Sequence, residues 1–132
     1  MARPRSFDEH QVLEQCRDVF CEHGYDATSI DDLVAATGLK RGSLYQAFGS
    51  KHGIFLKVLR GALDATTNRF SDDAVTLVAI ACLELAPHDA KVRDIIAKWR
   101  SQIPPEHAAL LPQALGDNLL NRAGISAKPT TD

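Results

Sequence analysis

The chain has 132 residues, with 15 lysines and arginines against 17 aspartates and glutamates, and aromatic residues make up 6% of it. That length gives about one domain with a sizeable core, and the formal charge of −2 excludes any nucleic-acid reading that rests on overall basicity. Three widely spaced cysteines form neither a disulfide framework nor a C-x-x-C pair, and they imply a reducing compartment with small buried hydrophobes.

Residues 1–6 read as a mobile basic arm carrying Arg3 and Arg5. The arm lacks the apolar stretch of a signal peptide, and the longest apolar run, around Val75 to Leu85, is far short of a membrane span. A cytoplasmic protein with no membrane partner is therefore expected. A first helix is predicted from Phe7–Asp8 to His23, stopped by Gly24, with Val12, Leu13, Cys16, Val19 and Phe20 on its inward face. Thr28 and Asp31 form a candidate capping box for a second, short helix. Ile30, Leu33 and Val34 point inward, Thr37–Gly38 closes that helix, and Leu39 pins the following turn to the core. The third helix runs from Lys40 or Arg41 to about Phe48, anchored by Leu44 and Phe48 one turn apart. Ser50 is an N-cap for a fourth helix that carries Ile54, Phe55, Val58 and Leu59 and continues to about Phe70. SDD at 71–73 starts a helix buried on nearly every side through Leu85. After a break at Pro87, a helix with Val92, Ile95, Ile96 and Trp99 as its stripe follows. A last helical piece begins at Pro104–Pro105, is interrupted near Pro112 and runs to Arg122, with Gly124 ending it and a loose tail beyond. The fold class is all-α: an N-terminal three-helix helix-turn-helix domain over 1–49, a linking helix and C-terminal helical domain over 50–124, and a flexible tail over 125–132.

Residues 1–60 hold eight basic and eight acidic side chains, so layout matters more than sum: the bases gather at 3–5 and 40–41, with Lys51 beyond. Two short helices joined by a tight turn, the second exposing polar groups, suit entry into a DNA major groove. Gln, Lys and Arg have donor patterns that match base edges. Gly42 sits early in the third helix, where glycine is costly, and its missing side chain would let helix and DNA backbone come close. Backbone N–H groups at the starts of the second and fourth helices are candidate phosphate receivers, with Lys51 and Tyr45 as supporting donors. Arg3 and Arg5 are placed to reach the sugar-phosphate backbone or the adjoining minor groove.

The stretch GYDATSIDDLVAATGLKRGSLYQAFGSKHGIF, preceded by a helix ending CRDVFCEHG, resembles the N-terminal DNA-binding domain of the TetR family of bacterial transcriptional regulators, from Arg3 to about Leu59. The resemblance implies a third helix in the major groove, with Lys40, Arg41, Ser43 and Gln46 facing bases. It implies Thr28, Tyr45 and Lys51 as phosphate contacts and Gly42 as the close-approach glycine. It further implies a homodimer on a near-palindromic operator in double-stranded DNA, acting as a repressor, with a C-terminal domain that dimerises and encloses a small, apolar effector. The ELAPHD segment at 84–89 is similar to one regulator subgroup. The chain departs from the family pattern in having only about 70 residues beyond the first turns of the fourth helix. A reduced set of dimerisation helices is therefore expected in place of a full-sized effector cavity.

No cofactor or metal is expected, since Cys21 with His23 is too sparse for zinc. Neither is an enzyme: His88 and Asp89 in APHD read as a turn and helix cap, with no nucleophile elbow or phosphate loop beside them. Two functions remain open: a sequence-specific, DNA-binding transcriptional regulator, or a shortened protein-interaction module that dimerises without specific operator binding.

Overall fold

A computed structural model of the protein describes residues 7–64 and 70–125, and all regular structure among them is helical. The described residues divide into two compact units, the boundary falling between Arg60 and Gly61 inside the fourth helix.

In the first unit, Asp8 in extended conformation caps α1 (Glu9–His23) by accepting the N–H of His10 at 3.0 Å. Val12, Cys16 and Phe20 form its buried stripe, and Gly24 stops it at φ 85°. Burial pushes the Cys16 thiol up to about 11. The capping box of α2 (Ile30–Thr37) is built one residue later than the sequence suggests. The Ser29 hydroxyl accepts the Asp32 N–H, and the Asp32 carboxylate accepts the Ser29 N–H. These bonds, the Ser29 backbone first, hold the Asp32 carboxyl below its ordinary range. Thr28 cannot be the cap because it is buried and its hydroxyl donates back to the Gly24 carbonyl at 2.6 Å.

The turn after α2 is fastened by Thr37, whose hydroxyl donates to Leu33 O at 2.7 Å and accepts the Leu39 N–H at 3.2 Å. Gly38 takes the left-handed conformation there, at φ 74°. Leu39 is half-buried and Leu33 fully buried. α3 (Arg41–Phe48) sets Leu44 and Phe48 inward and ends at Gly49. In α4 (Lys51–Asp64), Ile54, Phe55, Val58 and Leu59 are buried. Phe55 meets Phe20 edge-on, with ring centroids 5.1 Å apart, and Tyr25 at 5.2 Å, so the aromatic centre of this unit joins α1, the following turn and α4. Residues 65–69, through which α4 was expected to run, lie outside the described residues, and Phe70 is not helical.

In the second unit, α5 (Asp72–Ile80) is capped by Ser71 and buried from Ala74 onward. The apolar run is not buried to its end. The helix widens into one π-type turn at Ala81–Leu85, which leaves Cys82 exposed and Leu83 64% exposed. Cys82 is therefore not the core hydrophobe that its apolar neighbours suggest. A short tight turn at Ala86–His88 leads to Asp89, whose carboxylate caps α6 (Ala90–Gln102) through the N–H groups of Lys91 and Val92. Val92 and Trp99 are buried, Ile95 and Ile96 half-buried, and Trp99 meets Phe70 at 5.9 Å. A single turn, α7 (Pro105–Ala108), precedes α8 (Leu111–Arg122). The interruption expected near Pro112 falls at residues 109–110, and Pro112 itself sits in the first turn of α8, where no N–H is required of it. α8 packs along α5, and the Asn118 amide donates to the Thr76 hydroxyl at 2.8 Å.

Candidate nucleic-acid interface

The packing of α3 decides which of its side chains are left over. Leu44 and Phe48 occupy the core, so the helical repeat turns Lys40, Arg41, Gly42, Tyr45 and Gln46 outward; all are exposed, and Ser43 is half-buried at the margin. Tyr45 keeps 41% of its surface exposed. Among the described residues, the side chains of Lys40, Ser43, Tyr45 and Gln46 have no partner, so one helix face offers an ammonium, a hydroxyl, a phenol and an amide to solvent. Arg41 is different: its guanidinium donates to the carboxylate of Asp31 on α2.

Backbone donors at the helix starts are unequally available. The capping box already takes the Ser29 and Asp32 N–H groups at the head of α2, which competes with any phosphate there. At the head of α4 the Ser50 hydroxyl takes the Gly53 N–H at 2.9 Å. The head of α3 has no side-chain cap, because Lys40 supplies no acceptor. Gly42 lies in this uncapped first turn, and a methyl group built on it meets nothing within 4 Å. No intramolecular contact demands a glycine there.

Two further residues act differently from their neighbours. The Lys51 ammonium donates to the carbonyls of Tyr25 and Thr28, each at 3.0 Å, and lies 4.2 Å from the centre of the Tyr25 ring. It clamps the turn between α1 and α2 to the head of α4, with one of its three protons left over. Thr28, buried with its hydroxyl bonded to Gly24, supports that turn from inside. Gly53 is a requirement that sequence reasoning missed. A Cβ on it would fall inside van der Waals distance of the Phe48 carbonyl oxygen, so this glycine lets α4 start directly against the end of α3. Its position three residues after the Ser50 cap was the available signal. Arg3 and Arg5 lie outside the described residues.

The second unit holds an open cavity of about 670 Å³ between α5 and the α7–α8 segment. Phe70, Val75 and Leu110 give its apolar wall, and Asp72, Asp117 and Asn118 its polar edge. The side-chain oxygen of Asn118 is buried without a hydrogen-bond partner. No group of metal-ligating side chains is present among the described residues, and none of their helices is long and apolar enough to cross a membrane.

Residues 12–58 match the sequence family described as bacterial regulatory proteins, tetR family. The HTH-type transcriptional repressor ComR of Escherichia coli (strain K12) is 44% identical over 69 residues, which are 52% of this chain and 31% of that protein. The HTH-type transcriptional repressor BdcR of the same strain is 40% identical over 57 residues, covering 43% of this chain and 29% of that one. The chain thus spans about a third of the length of these curated relatives. A solved structure of the TetR family transcriptional regulator CifR, a cysteine mutant complexed with 26 bp double-strand operator DNA, aligns over 96% of this chain and 78% of its own, with 26% identity and a TM-score of 0.53.

Proposed function

Because residues 12–58 match the tetR family of bacterial regulatory proteins, we propose that the chain is a member of that family and a sequence-specific DNA-binding transcriptional regulator acting as a dimeric repressor. The observation that carries the reading is the outward face of α3: unpartnered Lys40, Ser43, Tyr45 and Gln46 surround a glycine that no contact inside the protein requires. An α-helix with such a face fits the major groove, where Lys40, Arg41, Ser43 and Gln46 read base edges. Gly42 and the uncapped head of α3 then approach the sugar-phosphate chain, with Tyr45 and the spare Lys51 proton as phosphate donors. Thr28 acts beside them through the position of its turn, and Arg3 and Arg5 add contacts from the N-terminal arm. The relatives that are named repressors, and the CifR complex with operator DNA, support the same reading.

The division at 1–49, 50–124 and 125–132 assigns DNA contact to the first segment and dimerisation with regulation to the second. Leu119 and Leu120 on α8, 41% and 40% exposed, give that second segment an apolar face for a second copy. The cavity beside α5 is the place for a small effector. Its carboxylates favour a ligand with an apolar body and a hydrogen-bond donor over a wholly apolar one.

Selection from a randomised duplex library, followed by anisotropy titration of the selected duplex against salt, tests the proposal. A near-palindromic motif is expected, with binding much weakened in Tyr45→Ala and Gln46→Ala. A folded dimer that enriches no motif would instead establish the protein-interaction module, which the neutral charge of residues 1–60 and the short second unit favour.

A further inference from the structure

We propose that Asp31 is the positioning residue that converts Arg41 from a general phosphate binder into a reader of one base pair. The inference rests on α3 being the recognition helix. Arg41 is the first residue of that helix, and its Nη2 donates to Oδ1 of Asp31, ten residues earlier on α2. This is a single bond to a single oxygen. A guanidinium has five donors in a planar fork, so the pairing tethers the group at one nitrogen and restrains where it lies while leaving its other donors unpaired.

Stability does not account for the pair. The Arg41 and Asp31 side chains are 54% and 75% exposed, and ion pairs in that environment contribute little. Asp31 is also not needed to close α2, since Ser29 and Asp32 form the capping box without it. The cost of Asp31 to a DNA-binding surface, by contrast, is plain: a carboxylate beside recognition-helix cations repels phosphate. Lys40 is adjacent, but Asp32, the other acid at this helix start, is already committed to Ser29. Asp31 therefore cancels the charge of Arg41 towards any passing phosphate. It leaves intact the planar donor pattern that a guanine O6/N7 edge accepts in bidentate fashion. Affinity for random DNA falls, and affinity for one base identity at one place in each half-site is kept. The balance of eight bases and eight acids in residues 1–60 becomes intelligible as a restraint on non-specific binding.

The test uses the full chain, a randomised duplex library and a scrambled duplex of equal length. Asp31→Asn keeps the shape and removes the charge. It is expected to bind the scrambled duplex more tightly, with a salt dependence steeper by about 0.9 per subunit. It should also lose preference at one position of each half-site, lowering the ratio of selected to scrambled affinity by about tenfold. Asp31→Glu is expected to restore part of that preference, and in an Arg41→Ala background Asp31→Asn should cost no further preference at that position, relieving only the general repulsion of phosphate. Thermal unfolding of each variant, expected to be close to the parent, separates these effects from loss of fold. An unchanged motif and affinity ratio in Asp31→Asn would overturn the inference while leaving the regulator intact. So would the same loss in the Arg41→Ala background, because Asp31 would then act without Arg41. Failure of the unsubstituted protein to enrich any motif would overturn the recognition-helix reading and this inference with it.

Discussion

Replacing Gly42 with alanine separates folding from function at one atom. Position 42 is helical and exposed, and the added methyl meets no protein atom within 4 Å. In the free protein the substitution should therefore help. Alanine restricts the unfolded chain more than glycine does and favours the helix, together giving about 0.4–1 kcal/mol, or a rise in Tm of about 2–5 °C. Against DNA the same methyl occupies the close-approach surface of α3. Forcing a methyl into a well-packed contact costs about 1–3 kcal/mol, so affinity for the selected duplex should drop by about tenfold per recognition helix. Calorimetric unfolding of the free protein and anisotropy titration of the complex, on the same preparation, give both numbers. Stabilisation with unchanged DNA affinity would refute the placement of Gly42 at the interface, and destabilisation of the free protein would refute its open helical environment.

Gly53→Ala should behave in the opposite way, losing about 1–3 kcal/mol of stability by denaturant titration, since its Cβ collides with the Phe48 carbonyl. Lys51→Ala should lower the unfolding free energy from denaturant titration by about 1–2 kcal/mol, because two carbonyls lose a charged donor. Tyr45→Ala should leave stability nearly untouched, so only the tyrosine variant gives a direct reading of a phosphate contact. Stability should fall as pH rises from about 9 towards 11. Over that range only the unfolded state ionises Cys16, at about 1.4 kcal/mol per pH unit, so on the order of 2–3 kcal/mol is lost. Cys16→Val has no proton to lose there, so the difference between the two denaturant midpoints should shift in favour of the valine variant as pH is raised. Parallel curves would show that Cys16 does not titrate as its burial implies.

The sequence by itself determined the helices, their stops and the identity of the outward face of α3, because these follow from short-range chemistry. Val12, Cys16 and Phe20 repeat at helical spacing, Gly24, Gly38 and Gly49 end the first three helices, and Leu44 with Phe48 fixes by elimination which side of α3 points outward. The tertiary structure alone decided how side chains of uncommitted chemistry are used. Whether Thr28 or Ser29 caps α2 depended on which one the core buries. Lys51 reads as a surface cation until α4 brings it within 3.0 Å of carbonyls 23 and 26 residues earlier. Gly42 and Gly53 look alike as letters, yet one lies in open space and the other against a carbonyl oxygen. Likewise, no periodicity announces the π-type turn that exposes Cys82 and Leu83, nor the contact that joins Asp31 to Arg41. A local pattern records which conformations a segment prefers. Partners distant along the chain are chosen only when packing brings them together, and in this protein those choices separate a residue that holds the domain from one left exposed and unpaired.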